Sequence, residues 1–394
     1  MSNAILVINA GSSSLKFSVF RDHGDGDPVV TINGQISGIG TQPVFEAKDA
    51  QRRPLAEKSW GAGEASDRTA LLSYLLDWIE ERLDGATLIA AGHRVVHGGV
   101  RHATPVLLTP AVLDELDGLV PLAPLHQPHN LAAIRALAEA HPELPQVACF
   151  DTAFHRNQPW QAQTFAIPRE LTEEGVRRYG FHGLSYEYIA RRLPEIAPEL
   201  GDSRVVVAHL GSGASMCAIH GGRSVDSTMG FTALDGLPMG TRCGTIDPGV
   251  LIYLMRKGMD AGAIEKLLYN KSGLLGVSGI SNDMRALLDS SDPHAQEAVE
   301  LFCFRIAKET GALSASMGGV DALVFTAGIG ERSAPVRARV GDKLAWMGVD
   351  IDAAANEANA TKISTPGSRL PVYVIPTDEE RMIALHTRKV LTGR

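Results

Sequence analysis

Short runs of consecutive apolar residues, closed by glycine- or serine-rich turns, alternate along the chain with stretches whose apolar side chains recur every three or four positions. Ile5-Leu6-Val7-Ile8 is continuous and apolar, as a strand covered on both faces requires. After Asn9-Ala10-Gly11-Ser12-Ser13-Ser14, Leu15 to Phe20 reads as the return strand of a hairpin. Val205 to His220 repeats the plan. A shift of 200 residues lays Gly11 over Gly211, Ser12 over Ser212 and Val19 over Ile219. Either two Gly-Ser hairpins match by chance, or one α/β domain has been duplicated.

Helical periodicity fills the intervals. Leu72, Leu75, Leu76, Ile79 and Leu83 fall on one face, with Gly85 as the stop signal. Pro128 marks a first helical turn and Pro142 an end, while Asp247-Pro248 and Asp292-Pro293 read as cap-plus-proline helix starts. The long helix after Asp292 leads through Met317-Gly318-Gly319 to the strand Ala322 to Thr326, and a last strand at Val372 to Ile375 precedes a terminal helix. This order predicts an α/β fold in two domains, 1–150 and 151–379, with the terminal helix 380–394 packing back on the first.

Composition narrows the function. Apolar residues at 44% exclude a disordered chain, and a net charge of −8 argues against a nucleic-acid partner. No run of apolar residues is long enough for a membrane span, and the start MSNAILVINAG lacks the basic leader of a signal peptide. Cys149, Cys217, Cys243 and Cys303 lie far apart without a CxxC, which suits reduced thiols in the cytoplasm.

In open α/β sheets ligands bind beyond the carboxyl ends of strands. The groups that follow strand-like runs are Asn9, His93 and Arg94, Asp151, His209 with Gly211 and Gly213, Gly328-Ile329-Gly330, and Thr377 to Glu380. Arginines, carboxylates, an asparagine and three glycine-rich turns on one edge suit phosphate handling. There is no GxxxxGK[ST], no HExxH and no GxSxG, and the stretch from Gly328 to Ser333 only begins like a dinucleotide fingerprint. A kinase without a P-loop remains. His93 and His97 have i,i+4 spacing, but Val95, Val96, Gly98 and Gly99 read as strand and turn rather than a metal-binding helix. His126 and His182 lie in loop-like contexts, where histidines serve function or structure. Thr377 and Glu380 fit a capping box, which leaves Glu379 as the carboxylate for chemistry.

The segment Asn9 to Lys16 resembles the N-terminal signature of the acetate kinase family, and His209 to Ser215 resembles its second signature. HRVVHGG from His93, PLAPLHQPHN from Pro121, CFDTAFH from Cys149, YGFHG from Tyr179, MGTRCG from Met239, FTAGIGE from Phe325 and the ending PTDEE extend the resemblance in order along the chain. It implies the duplicated ribonuclease-H-like fold of the acetate and sugar kinase, heat-shock ATPase and actin superfamily, with the active site in a cleft between the domains. It also implies reversible ATP-dependent phosphorylation of a short carboxylate, with ATP/ADP as co-substrate and Mg2+ or Mn2+, in a homodimer. The same resemblance implies that Arg94 holds the carboxylate, while Val96, Leu125 and Phe181 wall its alkyl group. Arg242 and His182 would stabilise the phosphoryl group in flight, Asp151 would orient reactants or metal, and His126 would contact the phosphoryl region. Asn9, Lys16 and Glu379 would lie near the metal and phosphates. His209, Leu210, Gly211, Ser212 and Gly213, with Asp283, Met284 and Arg285 and with Gly328, Ile329, Gly330, Glu331 and Arg332, would bind the nucleotide.

The chain departs from that pattern in places. Ser212 and Arg332 stand where the family commonly has Asn, which bears on nucleotide preference. Leu184 and Tyr186 replace the usual Thr and His after GFHG, and Ala233 replaces a common Pro, a smaller side chain that would admit propionate. Cys243 beside Arg242 reads as a small packing side chain or as a thiol activated by the cation. A propionate or butyrate kinase on the same scaffold is the near alternative, since one CH₂ is worth only about 1–3 kcal/mol. An ATP-hydrolysing conformational module or a nonspecific hydrolase are the more distant ones.

Overall fold

A computed structural model describes residues 2–11, 13–24, 26–61 and 68–393; Ser12 of the first Gly-Ser turn lies outside the described residues. The chain divides into two compact units, Met1–Ala153 with Asp378–Arg394, and Phe154–Thr377.

The first unit is built on an eight-stranded sheet of β1 (Asn3–Ala10), β2 (Ser14–Asp22), β3 (Val29–Ser37), β4 (Val44–Asp49), β5 (Pro54–Ser59), β6 (Thr87–Val95), β7 (Val106–Leu107) and β8 (Gln146–Phe150). Its order is β5-β4-β3-β2-β1-β6-β8-β7. The second unit carries five strands, β9 (Arg204–Leu210), β10 (Ala214–His220), β11 (Arg223–Ser227), β12 (Ala322–Thr326) and β13 (Val372–Val374), in the order β11-β10-β9-β12-β13. The segment β3-β2-β1-β6-β8 and the whole second sheet therefore share one plan, an antiparallel meander followed by two parallel strands. That is what a duplicated unit requires, and it agrees with the two matching Gly-Ser hairpins.

Several strands run further than their apolar stretches. Asn9 still pairs with Lys16 inside the first hairpin, His93 and Arg94 are paired on β6 with only Val95 after them, and His209 is paired within β9. Backbone ladders continue although the side chains turn polar, because hydrogen bonding does not need apolar side chains where the strand end is half covered. Asn9, His93, Arg94 and His209 thus sit on strands and not on the loops beyond them.

The core of the first unit forms where the helix Arg68–Glu80 places Leu71, Leu72, Leu75, Leu76 and Ile79 on the sheet. Phe45 stacks on Phe17 and meets Trp78 and Tyr74 edge-on, which fixes the angle of that helix. The helix ends at Glu80, short of the expected Gly85 stop. Leu83 is buried from the following turn, and Gly85 with φ of 79° belongs to the entry into β6.

The terminal helix Glu379–Thr392 belongs to this unit and lies on β1, β6 and β8. It comes close because Gly92 of β6 has no side chain; a Cβ there would overlap Thr387 and Ile383. The cap differs from the sequence reading. Asp378, not Thr377, is the N-cap and accepts from the Arg381 N–H, while the Thr377 hydroxyl donates to Ser185. An aspartate next in line competes for the same N–H groups at least as well as threonine.

In the second unit the helices Pro248–Arg256 and Pro293–Ser316 begin as the Asp-Pro pairs predict, with Asp247 and Asp292 accepting from Gly249 and His294. Gly328-Ile329-Gly330, read as a turn, instead lies in the short helix Ala327–Arg332 that starts directly after β12. The turn is made at Ala327, whose φ of 62° is unusual for a residue with a Cβ.

Candidate active site

Arg94, Asp151, Asn9 and Glu379 come together in the first unit, and His182, His209 and Arg242 in the second. In the first unit the parallel register pairs Arg94 with Cys149 and Val95 with Phe150, so Asp151 leaves β8 beside Arg94. Arg94 donates from Nε to one Asp151 oxygen at 3.0 Å, from Nη2 to the other at 2.5 Å, and from Nη1 to the Asn9 side-chain oxygen at 3.3 Å. Three of its five N–H groups are held in this way, and the guanidinium plane is fixed. Burial by itself weakens the Arg94 cation, but Asp151, Glu379 and Glu380 outweigh it and hold the pKa above the ordinary value. Glu379, on the first turn of the terminal helix, is pushed up to about 7. Burial is the main cause; Asp151 and Glu380 add to it, and Arg94 and Lys16 oppose it. In this group three carboxylates, Asp151, Glu379 and Glu380, meet two cations, Arg94 and Lys16.

Its oxygens are hard donors of the kind Mg2+ takes. Among the described residues no three His, Cys, Asp or Glu are arranged as a metal cage. Asn9 and Glu379 supply one amide oxygen and one carboxylate of that kind.

Val96, Leu125 and His126 belong to the same unit. Val96 is buried, Leu125 is exposed and His126 precedes the helix Gln127–Ala140 without capping it. The PLAPLHQPHN segment has a second role that the sequence reading missed. Asn130 accepts from the Val96 N–H and donates to the Ala10 carbonyl, and Gln127 bonds both backbone groups of His97. Two buried amides in a first helical turn therefore tie down the ends of β1 and β6. The available signal was a polar pair facing the apolar side of that helix.

In the second unit His182 caps the helix Gly183–Ile196 in a left-handed conformation, φ 55° and ψ 26°. Its ring stacks on His209 with centroids 4.1 Å apart, and its Nδ1 lies 2.8 Å from Ser215 Oγ. Arg242 donates to the Ala233 carbonyl at 2.9 Å. A Cβ built on Gly213 would lie 3.4 Å from His182 Nε2 and 3.9 Å from Arg242 Nη1. An imidazole nitrogen and a guanidinium nitrogen therefore converge beside one glycine of the second hairpin. Phe181 is buried, and its carbonyl meets Nε2 of buried His155 at 2.9 Å, which braces the backbone leading into His182.

The residues read as nucleotide-binding divide by exposure. Leu210 and Met284 put their side chains in the core, so they offer only backbone. Ser212, Asp283, Arg285, Gly328 and Arg332 are exposed; Asp283 caps its short helix and pairs with Arg285. Gly211 and Ile329 are half-buried and Gly330 is buried. A Cβ on Gly328 would meet nothing within 4 Å, so packing does not require glycine there. Glu331 accepts from the Thr377 N–H. Fully buried Arg337, which the sequence reading missed, donates to the Gly330 carbonyl and to Asn356 and Asn359, and so clamps the helix Ala327–Arg332. Cys243 is the packing side chain of the two readings, since burial raises its thiol pKa.

The acetokinase family profile matches residues 4–385. An acetate kinase of Nitrobacter hamburgensis is 54% identical over 393 residues, covering 100% of this chain and 97% of that one. One from Rhodopseudomonas palustris is 53% identical over the full length of both. Among solved structures, a Porphyromonas gingivalis acetate kinase superposes with a TM-score of 0.88 at 37% identity, covering 99% and 100% of the two chains. A Francisella tularensis propionate kinase gives 0.90 at 37%, covering 98% of each.

The buried histidine behind Phe181 makes stability depend on pH. Burial lowers the His155 pKa to about 4, against 6.5 for the ordinary imidazole. The unfolded chain takes up a proton at 6.5 that the folded chain refuses until about 4, so stability is lost as pH falls through that interval. The unfolding midpoint should drop between pH 6.5 and 4.5 less steeply in His155→Gln than in the wild type. Parallel slopes would contradict this assignment.

Proposed function

The chain belongs to the acetokinase family, and from that premise we propose that it phosphorylates acetate reversibly with ATP, by direct in-line transfer to the carboxylate. The observation that carries this reading is the Arg94 fork, held in plane by Asp151 and Asn9 with two N–H groups still to give. A planar carboxylate takes such a pair of donors, and Val96 and Leu125 of the same unit supply apolar surface for a methyl group.

The chemistry asks little more of the protein. A carboxylate is ionised at pH 7, so the nucleophile needs no general base. Phosphoryl transfer depends on position and charge stabilisation. Arg242 and His182 donate to the oxygens of the transferring group, the space beside Gly213 being the support for that role. In the first unit His126 and Lys16 are the groups for phosphate. Asn9 and Glu379 hold Mg2+, which when bound neutralises charge on the phosphate oxygens; Asp151 orients Arg94 and, through it, the acid. The second unit binds the nucleotide through His209, the backbone of Leu210 to Gly213, the segment Asp283 to Arg285, and Gly328 to Arg332. Exposed Arg332 lies near ribose or base.

The cytoplasm suits this reading, because ATP is there and the four cysteines form no disulfide. Among the described residues no helix is long and apolar enough to cross a membrane. The chain pairs with a second copy. The helix Pro248–Arg256 supports this, because it buries none of its residues although Ile252, Tyr253 and Met255 are each more than half exposed.

Two measurements test the proposal. ATP, Mg2+ and hydroxylamine with acetate, propionate or butyrate at equal concentrations should yield acyl hydroxamate fastest from acetate. Product mainly from propionate would favour the propionate-kinase reading that Ala233 suggests, and ADP release without hydroxamate would contradict transfer to a carboxylate altogether. Light scattering should give twice the 42.0 kDa chain mass, and Tyr253→Glu should shift it toward a single chain. A monomer in the unaltered protein would end the pairing claim.

A further inference from the structure

His182 does not stand alone in its unit. Its Nδ1 lies 2.8 Å from the hydroxyl of Ser215, a fully buried residue of β10, and Ser215 Oγ lies 2.5 Å from the hydroxyl of Tyr186. The geometry is set by three regular features. Tyr186 is one helical turn beyond His182 on the same helix, where its backbone N–H bonds the His182 carbonyl. Ser215 is fixed by the hairpin register, directly opposite His209. The His209 ring then stacks on His182 at an interplanar angle of 15°.

The neighbouring ring is tied in the same manner. His209 Nδ1 lies 2.8 Å from Ser185 Oγ, which accepts a hydrogen bond from the Thr377 hydroxyl. Ser185 takes the Thr377 proton on one lone pair and has its own proton to place, for which His209 Nδ1 is an acceptor within reach. Each of two stacked imidazoles therefore faces a serine backed by a second hydroxyl. At His182 the backing group is a phenol, a stronger donor than an aliphatic alcohol, which favours donation from Tyr186 to Ser215 and from Ser215 to Nδ1.

We propose that Tyr186 is a positioning residue for phosphoryl transfer, holding His182 through Ser215 in one ring orientation and as the tautomer with hydrogen on Nε2. This rests on the reading above that His182 donates to the transferring phosphoryl group. Nε2 is the nitrogen that approaches Gly213 beside Arg242. In the other tautomer Nδ1 would donate to Ser215, and Nε2 would present a lone pair to anionic oxygen, turning attraction into repulsion. A neutral imidazole of fixed tautomer is an effective donor to developing negative charge. Tyr186 is also a place where the chain departs from the family pattern, which commonly has His there, so the relay uses a group of its own.

The test combines kinetics with spectroscopy on the full chain. Tyr186→Phe keeps the buried ring and removes only the hydroxyl. It should lower kcat about tenfold, as the loss of one well-placed hydrogen bond does, and leave KM for acetate and ATP within about twofold. In a His182→Ala background the same change should cost nothing further. Nitrogen-15 imidazole spectra of the unaltered protein should show His182 with hydrogen on Nε2, and Tyr186→Phe should introduce the other tautomer. An equal kcat loss in both backgrounds, no loss at all, or an Nδ1–H signal in the unaltered protein would overturn the proposal while leaving the role of His182 intact. Unchanged kcat in His182→Ala would overturn that role, and the proposal with it.

Discussion

The bidentate pair between Arg94 and Asp151 is the interaction on which the first unit's chemistry depends. Asp151 is almost wholly buried, with 1% of its side chain exposed, and Arg94 keeps 21%. An aspartate in that position needs a cation, and removing one partner of such a pair typically costs about 3–5 kcal/mol. Because both Asp151 oxygens are used, the pair fixes a plane as well as a distance. Asn9 adds a third bond from the adjoining strand, so β1, β6 and the end of β8 are joined at one guanidinium. Glu379 and Glu380 come to the same cation from the terminal helix. The proposed roles in holding a cation and a carboxylate rest on those carboxylates and on the part of the fork left over.

The same architecture carries different chemistry in the second unit. At corresponding rungs of the two hairpins, Asn9 faces Lys16 in one and His209 faces Ser215 in the other. One rung carries an amide and an ammonium. The other offers an imidazole and a hydroxyl, extended by His182 and Tyr186 into a hydrogen-bonded stack. A duplicated sheet needs only its apolar interior preserved, so the polar rungs at the strand ends were available for separate use.

What was legible in the sequence follows from the range of the interaction involved. The hairpins, the Asp-Pro helix starts and the terminal helix are set by neighbours in the chain and were read correctly. Arg94 and Asp151 were found as groups at strand ends and through the family resemblance, although their pairing across 57 positions was not. Competition between adjacent candidates misled the cap at Thr377, where Asp378 is the acceptor. Glycine's reputation as a turn former misled the stretch from Gly328 to Gly330, whose turn is made by Ala327. Asn130, Ser215 and Arg337 were missed because a buried polar side chain declares itself only through its partners, and those are distant in sequence.

The claim at the centre of this account is that the clasped Arg94 fork receives the acid's carboxylate. Arg94→Lys keeps the charge beside Asp151 and removes the planar pair of donors, which makes it the most direct test. With acetate and ATP varied separately, KM for acetate should rise by at least about thirtyfold while KM for ATP stays within about twofold. An unchanged KM for acetate, or a rise confined to ATP, would contradict it.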